Sequence, residues 1–131
     1  MDAADQLNAN PLPLARLLGV EIVEATPQRV LVRLTVREEL CTSGGILHGG
    51  AFMALADTAG AIGASLNLAA GANTTTIESK TNFLGSAALG VVVSAEATPV
   101  HVGRRSSVWQ TRITNPAGKL LALVTQTQLV I

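Results

Sequence analysis

The sequence predicts an α+β fold in which one antiparallel sheet of about six strands wraps on one long central helix. Apolar residues recur every three to four positions over a long stretch in the middle of the chain, and segments on both sides of it alternate apolar with polar residues. Short turn sequences separate the alternating segments, and strands joined by short turns pair antiparallel. With 131 residues, 48% of them hydrophobic, the chain can fill the core of a single domain at 1–131.

The N-terminal third of the chain predicts one short helix and two strands. The helix lies near residues 12–18, within an N-terminal segment at 1–18, and the strands cover 19–25 and 29–36. The turn sequence Thr-Pro-Gln at 26–28 separates the two strands. These strands form the first part of the predicted sheet.

The central helix is predicted from an apolar stretch at about 51–70. We expect the helix to begin near residues 48–50. Its larger apolar residues are Phe52, Leu55, Ile62 and Leu66, which follow helical spacing, and most of the others are Ala or Gly. Polar residues interrupt the stretch, which argues against a span of the roughly 20 apolar residues that cross a bilayer. We therefore expect a helix buried on all sides.

Four strands are predicted after the helix, at 74–83, 90–100, 104–114 and 119–129. The sequence Gly-Ala-Asn at 71–73 ends the helix, and Asn-Pro-Ala-Gly at 115–118 is a strong hairpin turn. A sheet with one helix leaves two edges unpaired, and proteins often bury such an edge against a second copy. We expect a homodimer, with a dimer of dimers (a homotetramer) as its further assembly.

Composition excludes several classes of function. Nine Lys and Arg balance nine Asp and Glu without a basic run, and aromatic residues make up 2% of the chain. This predicts neither a nucleic-acid partner nor a membrane surface. The single cysteine, Cys41, excludes an internal disulfide, and the N-terminus lacks the features of a signal peptide. The sequence thus predicts a cytoplasmic protein.

Asp57 is the charge that needs an explanation, because the helix around it is otherwise almost free of charged residues. An unpaired carboxylate in apolar surroundings costs several kcal/mol, so such a residue has either a hydrogen-bonding partner or a function. Two glycines, Gly49 and Gly50, follow His48 at the predicted start of the helix. This combination favours a catalytic site, and no set of ligands for a metal ion accompanies it.

The segment His-Gly-Gly-Ala-Phe-Met-Ala-Leu-Ala-Asp at 48–57 resembles the signature of the hotdog-fold acyl-CoA thioesterases. The branch that it resembles contains the phenylacetate-pathway and 4-hydroxybenzoyl-CoA thioesterases. The nine-residue step from His48 to Asp57 is its specific part, and the resemblance extends over about 17–131. It implies a hotdog fold and thioester hydrolysis without a metal or redox cofactor, with coenzyme A as part of the substrate.

The resemblance implies roles for both ends of this segment. The Gly49 N–H, at the positive end of the helix, would polarise the thioester carbonyl. Asp57 would act as nucleophile or as general base, and the sequence leaves both possibilities open. Asp57 follows the helix start by roughly 10 to 14 Å along the axis, which favours a site shared between two subunits.

Further residues complete the predicted catalytic set. The resemblance gives His48 a supporting role, although a histidine at a loop–helix junction is more often a structural hydrogen-bonding residue. Thr42 stands where these thioesterases commonly carry Asn or Gln, and its hydroxyl has a shorter reach. Thr76 matches a strand Ser or Thr that bonds the attacking water, but threonine is also an ordinary strand residue.

The coenzyme A part of the substrate is assigned to basic, glycine and serine positions. They are Gly50, Gly103, Arg104, Arg105, Ser106 and Lys80. Neighbouring strand residues point to opposite faces, so we expect only one of the two adjacent arginines to bind. Phe52, Met53 and Leu84 are candidate walls of the acyl pocket.

The sequence therefore predicts an enzyme that hydrolyses a small to medium acyl-CoA, with aryl and arylacetyl groups among the candidates. Two alternatives remain at this point. A non-catalytic acyl-CoA-binding hotdog module would keep the arginines but would not need Asp57. A hotdog enzyme of the enoyl-CoA hydratase type characteristically carries a closely spaced Asp and His near the helix start, unlike the nine-residue step found here.

Overall fold

A computed structural model describes residues 1–131, and these form three α-helices and eight strands. The helices are α1 (Ala3–Ala9), α2 (Pro13–Leu18) and α3 (Gly49–Ser65). The strands are β1 (Glu21–Thr26), β2 (Arg29–Thr35), β3 (Cys41–Thr42), β4 (Ile46–Leu47), β5 (Thr74–Phe83), β6 (Val92–Val102), β7 (Ser106–Thr114) and β8 (Leu120–Val130). A 3₁₀ turn, Glu38–Leu40, precedes β3.

Six strands form one antiparallel sheet in the order β1-β2-β6-β7-β8-β5, and α3 packs across one face of it. This confirms the predicted α+β architecture. The strand β5 follows α3 in sequence but pairs with β8, the last strand, so β5 and β1 are the two sheet edges. The very short strands β3 and β4, which the sequence analysis did not predict, form a separate hairpin before α3.

The central helix is shorter than predicted, because it ends at Ser65 and not near residue 70. Asn67 supplies the physical reason. Its side-chain Nδ2 donates to the Gly63 carbonyl at 2.8 Å and to the Pro27 carbonyl at 2.9 Å. The asparagine thereby satisfies one carbonyl at the end of the helix and ties that end to the turn between β1 and β2.

The N-terminal segment contains two helices where one was predicted. The helix α1 starts with a capping box, in which the side chains of Asp2 and Asp5 each accept from the backbone N–H of the other. Asn8 then bonds both backbone groups of Ile22, at 2.7 and 2.9 Å, as a neighbouring strand would. These side-chain contacts hold α1 against the edge strand β1.

The core lies between α3 and the sheet, and small residues on α3 set how closely the two approach. Trp109 on β7 is fully buried, and its indole ring lies where a Cβ on Gly63 would stand, 2.4 Å from Cζ3. Leu55 and Ala59 of the helix are likewise fully buried. The Ala- and Gly-rich composition of the helix therefore serves close packing, as the sequence predicts.

Arg29 links three strands on the outside of the sheet. It pairs with Glu96 on β6 at 2.6 Å and with Glu24 on β1. The hydrogen bond to Glu96, followed by the bond to Glu24, raises the pKa of the Arg29 guanidinium above its usual value. The pairs are partly exposed, so their contribution to stability is small, on the order of 1 kcal/mol or less.

No helix in the structure has both the length and the apolar character needed to cross a membrane.

Candidate active site

Asp57 lies half-buried on α3 and faces the strands β5 and β8. Thr76 on β5 donates its hydroxyl hydrogen to Asp57 Oδ1 at 2.7 Å, and Gln126 Nε2 on β8 donates to the same oxygen at 3.1 Å. The other carboxylate oxygen, Oδ2, accepts no hydrogen bond from the chain. The charge in the apolar helix therefore has two donors on one oxygen and none on the other.

The hydrogen bonds continue beyond Thr76 into the buried part of the sheet. Gln128 Nε2 donates to Thr76 Oγ1 at 2.5 Å, and Gln128 Oε1 accepts from Thr74 Oγ1 at 3.0 Å. Gln126 and Gln128 are 0% and 1% exposed, which is rare for this residue type. The result is a connected polar network beneath α3 that ends at Asp57.

Asp57 opens onto a shallow groove of about 330 Å³. The groove is lined by Leu14, Met53, Ala54, Asp57, Thr58, Thr76 and Ser79. The Ser79 hydroxyl oxygen is buried and has no hydrogen-bond partner in the chain. Of the predicted acyl-pocket walls, Met53 lines this groove, whereas Phe52 is core and Leu84 is exposed elsewhere.

The first turn of α3 presents a free backbone donor. His48 is the N-cap, and its Nδ1 accepts from the Gly50 N–H at 2.7 Å, as Asn or Asp does at other helix starts. The Gly49 N–H has no acceptor within the chain. The Phe83 ring stands beside Gly49, 3.3 Å from where a Cβ would lie. An oxygen atom of a ligand is the kind of group that this N–H and the helix dipole favour.

Within one chain, Gly49 and Asp57 cannot act on one carbonyl group. They lie eight residues apart on the same unbroken helix, which corresponds to about 12 Å along the axis. A thioester bound by the N–H of one α3 would meet a carboxylate only from another α3. The sharing of the site between subunits, which the sequence predicts from the same spacing, stays a prediction.

The other predicted catalytic and binding residues are dispersed over one chain. Thr42 is exposed and lines a different groove beside Cys41 and Gly45. Lys80 pairs with Thr125 on the outer face of the sheet, opposite to the face that carries Asp57's partners. One chain therefore brings only Thr76, of the predicted residues, to Asp57.

Gly103 and Arg104 line a separate open cleft of about 610 Å³ at the C-terminal end of α3. Its other lining residues are mostly small or apolar. They come from the last turn of α3, the segment after it and the ends of β6, β7 and β8: Ala64, Asn67, Leu68, Ala69, Ala72, Val102, Ser107 and Val130. Arg104 and Arg105 are exposed and form no ion pair within the chain. Arg105 and Ser106 do not line the cleft, so one arginine of the two faces it.

Sequence reasoning missed Gln126, Gln128 and Ser79. A signal for the glutamines was present, because both occupy inward positions of a strand whose other inward residues are apolar, Ala122 and Val124. Polar residues at buried positions of a strand need partners. Finding the partner required knowing that β8 lies beside β5 under the helix, which is a tertiary property.

Comparison with known proteins gives consistent results. The family model of the thioesterase superfamily matches residues 44–122. A 1,4-dihydroxy-2-naphthoyl-CoA hydrolase of Listeria monocytogenes is 34% identical over 110 residues, covering 84% of this chain and 89% of that protein.

Solved structures show the same similarity. A thioesterase of Haemophilus influenzae superposes with a TM-score of 0.91 at 30% identity, covering 100% of this chain and 92% of the other. The E. coli PaaI protein from the phenylacetic acid degradation operon superposes with a TM-score of 0.86 at 25% identity, covering 98% and 91%. The hotdog fold and the predicted resemblance are thereby confirmed.

Proposed function

Because the chain belongs to the thioesterase superfamily and is a thioester hydrolase, we propose that it hydrolyses a small to medium acyl-CoA at Asp57. Aryl and arylacetyl thioesters are included among its substrates, and the similarity to a hydrolase of an aromatic acyl-CoA supports this class. The products are the free acid and coenzyme A.

The observation that carries the proposal is the state of the Asp57 carboxylate. Thr76 and Gln126 hold one oxygen, while the other has no donor, and the carboxylate borders an open groove. A held carboxylate with one free oxygen is suited to act as nucleophile or general base.

The reaction needs both elements of the site. The Gly49 N–H and the dipole of α3 stabilise the negative charge that develops on the thioester oxygen, more strongly in the tetrahedral intermediate than in the substrate. As nucleophile, Asp57 attacks the carbonyl carbon, the coenzyme A thiolate leaves, and water hydrolyses the mixed anhydride. As general base, Asp57 takes a proton from water, the resulting hydroxide attacks, and the proton passes to the departing thiolate.

We propose that the site is shared in a homodimer, with a dimer of dimers as the larger assembly. The edge strand β5 supports this assembly, because no strand pairs with its outer side. In addition, two large apolar residues of β5 are exposed, Ile77 by 57% and Phe83 by 52%. Pairing at this edge would bring Thr76, and with it Asp57, close to the second subunit. His48 caps the helix start by accepting from the Gly50 N–H. A role for Thr42, which lies in β3 and lines a different groove within one chain, stays a prediction.

Arg104 is the proposed contact for the phosphates of coenzyme A. It has no carboxylate partner and lines the apolar cleft with Gly103. A guanidinium without an intramolecular partner is available for bidentate bonding to a phosphate. Arg105, Ser106 and Lys80 have weaker support, because none of them lines the cleft.

Thiol release from a panel of acyl-CoAs tests the proposal. The panel contains acetyl, hexanoyl, benzoyl and phenylacetyl thioesters, and the proteins are the wild type, Asp57→Ala and Glu21→Ala. We expect kcat/KM to fall about a thousandfold or more in Asp57→Ala, whereas Glu21→Ala, which removes an exposed carboxylate on the far edge strand, keeps wild-type activity.

Two outcomes would contradict the proposal. Full activity of Asp57→Ala would remove the role of that residue. Binding of acyl-CoA by the wild type without any thiol release would favour the non-catalytic module. In a single turnover in isotopically labelled water, label in the Asp57 side chain indicates an anhydride that water attacks at the Asp57 carbon. Label only in the product acid fits the general-base route or an anhydride attacked at the acyl carbon, and trapping of an acyl-enzyme during the turnover distinguishes these two.

A further inference from the structure

Gln126 is a fully buried amide that contacts the proposed catalytic carboxylate without lining the groove. It lies on the inner face of β8, between the apolar Val124 and the glutamine at 128, and its Nε2 donates to Asp57 Oδ1 at 3.1 Å. Its Oε1 is buried without any hydrogen-bond partner. Burying half an amide unsatisfied is costly, so the side chain is not explained by packing alone.

The charge of Asp57 determines which way the Gln126 amide points. If the amide were turned over, its oxygen would stand against the carboxylate oxygen, and two acceptors would be in contact. The amide hydrogen therefore faces Asp57, and Oε1 points toward α3, where Gly60 makes room for it. A Cβ on Gly60 would lie 2.2 Å from Oε1 and 2.4 Å from Cδ, so only glycine admits the amide at this point.

The two donors to Asp57 come from different strands, Thr76 from β5 and Gln126 from β8. One hydrogen bond would let the carboxylate pivot about the bonded oxygen. Two bonds to Oδ1 from separate, rigid positions restrict rotation about the Cβ–Cγ bond and leave Oδ2 directed away from both donors. The pair thus distinguishes two chemically equivalent oxygens.

We infer that Gln126 is a positioning residue that holds Asp57 so that Oδ2 is the oxygen which attacks the thioester or activates water. The inference rests on the proposed function, since it assigns a role relative to Asp57. Gln126 itself is fully buried and does not line the groove, so it acts through Asp57. Gly60 contributes to this positioning, because its lack of a side chain leaves the space that the Gln126 amide occupies.

The test compares two Gln126 variants with a matched glutamine elsewhere in the sheet. Gln126→Met keeps the shape but lacks the donor, and we expect kcat to fall about tenfold with KM changed less than about twofold. The control is Gln110→Met on β7, a half-buried glutamine without a side-chain hydrogen bond, which should leave both constants unchanged.

Gln126→Glu adds a readout that a packing role would not produce. When protonated, the new carboxyl donates to Asp57 Oδ1 as the amide does, and when ionised it places a like charge against it. We therefore expect the activity of Gln126→Glu relative to wild type to be higher at about pH 5.5 than at about pH 8.5. Thermal unfolding at both pH values identifies any variant whose loss comes from unfolding.

The outcomes separate this inference from the proposed function. If Asp57→Ala is inactive while folded Gln126→Met keeps kcat within twofold of wild type, the inference is wrong and the proposed function stands. Equal losses in Gln126→Met and Gln110→Met, or a Gln126→Glu ratio that does not change with pH, also overturn it. An active Asp57→Ala, or a wild type that cleaves none of the thioesters, overturns both.

Discussion

Asp57 and Thr76 are adjacent members of one hydrogen-bond chain, and Thr76 has two functions in it. Its hydroxyl donates to Asp57 Oδ1 and accepts from Gln128 Nε2, so it connects the carboxylate to a fully buried glutamine. Because the hydroxyl also accepts a hydrogen bond, it has little freedom to rotate away from Asp57. The ordinary strand threonine considered from sequence is therefore a specific partner of the carboxylate.

Replacement of Thr76 by valine, which has the same shape, removes both hydrogen bonds. We expect kcat for thioester hydrolysis to fall about tenfold, because the carboxylate loses its shorter donor bond, while KM changes little. Steady-state kinetics on the best substrate of the acyl-CoA panel measure this effect.

Two matched variants make the Thr76 result interpretable. Thr76→Ser keeps the hydroxyl and should keep most of the activity. Thr75→Val changes a neighbouring threonine that is exposed on the outer face, and it should behave as wild type. If Thr75→Val loses as much activity as Thr76→Val, the hydrogen bond to Asp57 is not the cause.

The helix α3 combines a binding end, a catalytic position and a close-packed face. Its first turn leaves the Gly49 N–H free, its third turn carries Asp57, and two glycines further along admit side chains from the sheet. Gly60 receives Gln126, and Gly63 receives Trp109. Each glycine makes helix formation about 1 kcal/mol less favourable than alanine would, and the close packing of the sheet against the helix offsets that cost.

Gly63→Ala should destabilise the protein although alanine favours helix formation. The new Cβ would lie 2.4 Å from Trp109 Cζ3 and 2.5 Å from Cη2, and the fully buried indole has no space to move. We expect the free energy of unfolding in urea to fall by about 1–3 kcal/mol.

A double-mutant cycle isolates that contact. Phenylalanine at position 109 lacks the two indole atoms that meet the new Cβ, so Gly63→Ala should cost less in the Trp109→Phe background than in the wild type. An equal cost in both backgrounds would show that the contact with the indole ring is not the source of the destabilisation.

At the scale of the whole molecule, the proposed sharing of the site between two copies of the chain rests on the spacing of Gly49 and Asp57. Gly49 and Asp57 lie about 12 Å apart along one rigid helix, whereas a thioester carbonyl needs both within hydrogen-bonding or bonding distance. The unpaired edge of β5, close to Thr76, is the side at which a second copy would supply the missing half.

Subunit exchange tests the shared site directly. Asp57→Ala and Gly49→Val should each be inactive, the second because a side chain at 49 fills the position of the carbonyl oxygen and meets Phe83. After mixing and exchange, half of the dimers are mixed and one of their two sites is intact, so about a quarter of wild-type activity should return.

The exchange experiment requires that mixing be shown independently. Mass spectrometry of differently tagged chains establishes that mixed dimers have formed, and sedimentation gives their size. If mixed dimers form and no activity returns, the two elements do not meet across the subunit interface.

Much of the fold could be predicted from local patterns. The alternation of residues 74–83 matches β5 residue for residue, and the helix begins where His48 and the two glycines indicated. The prediction failed at the end of α3, because Asn67 stops the helix through a contact with Pro27, forty positions away in the chain. Apolar composition alone does not contain that information.

The sequence by itself determined the order of the central helix and the six sheet strands, the position of Asp57 and the free N–H at the helix start, because periodicity, glycine content and an isolated charge are local properties. It did not indicate α1 or the short hairpin of β3 and β4. Only the tertiary structure decided that β8 lies beside β5 and that Gln126, Thr76 and Gln128 converge beneath Asp57. These residues converge because strands far apart in the sequence pair with each other. The pairing places donors from two strands on one oxygen of a single carboxylate.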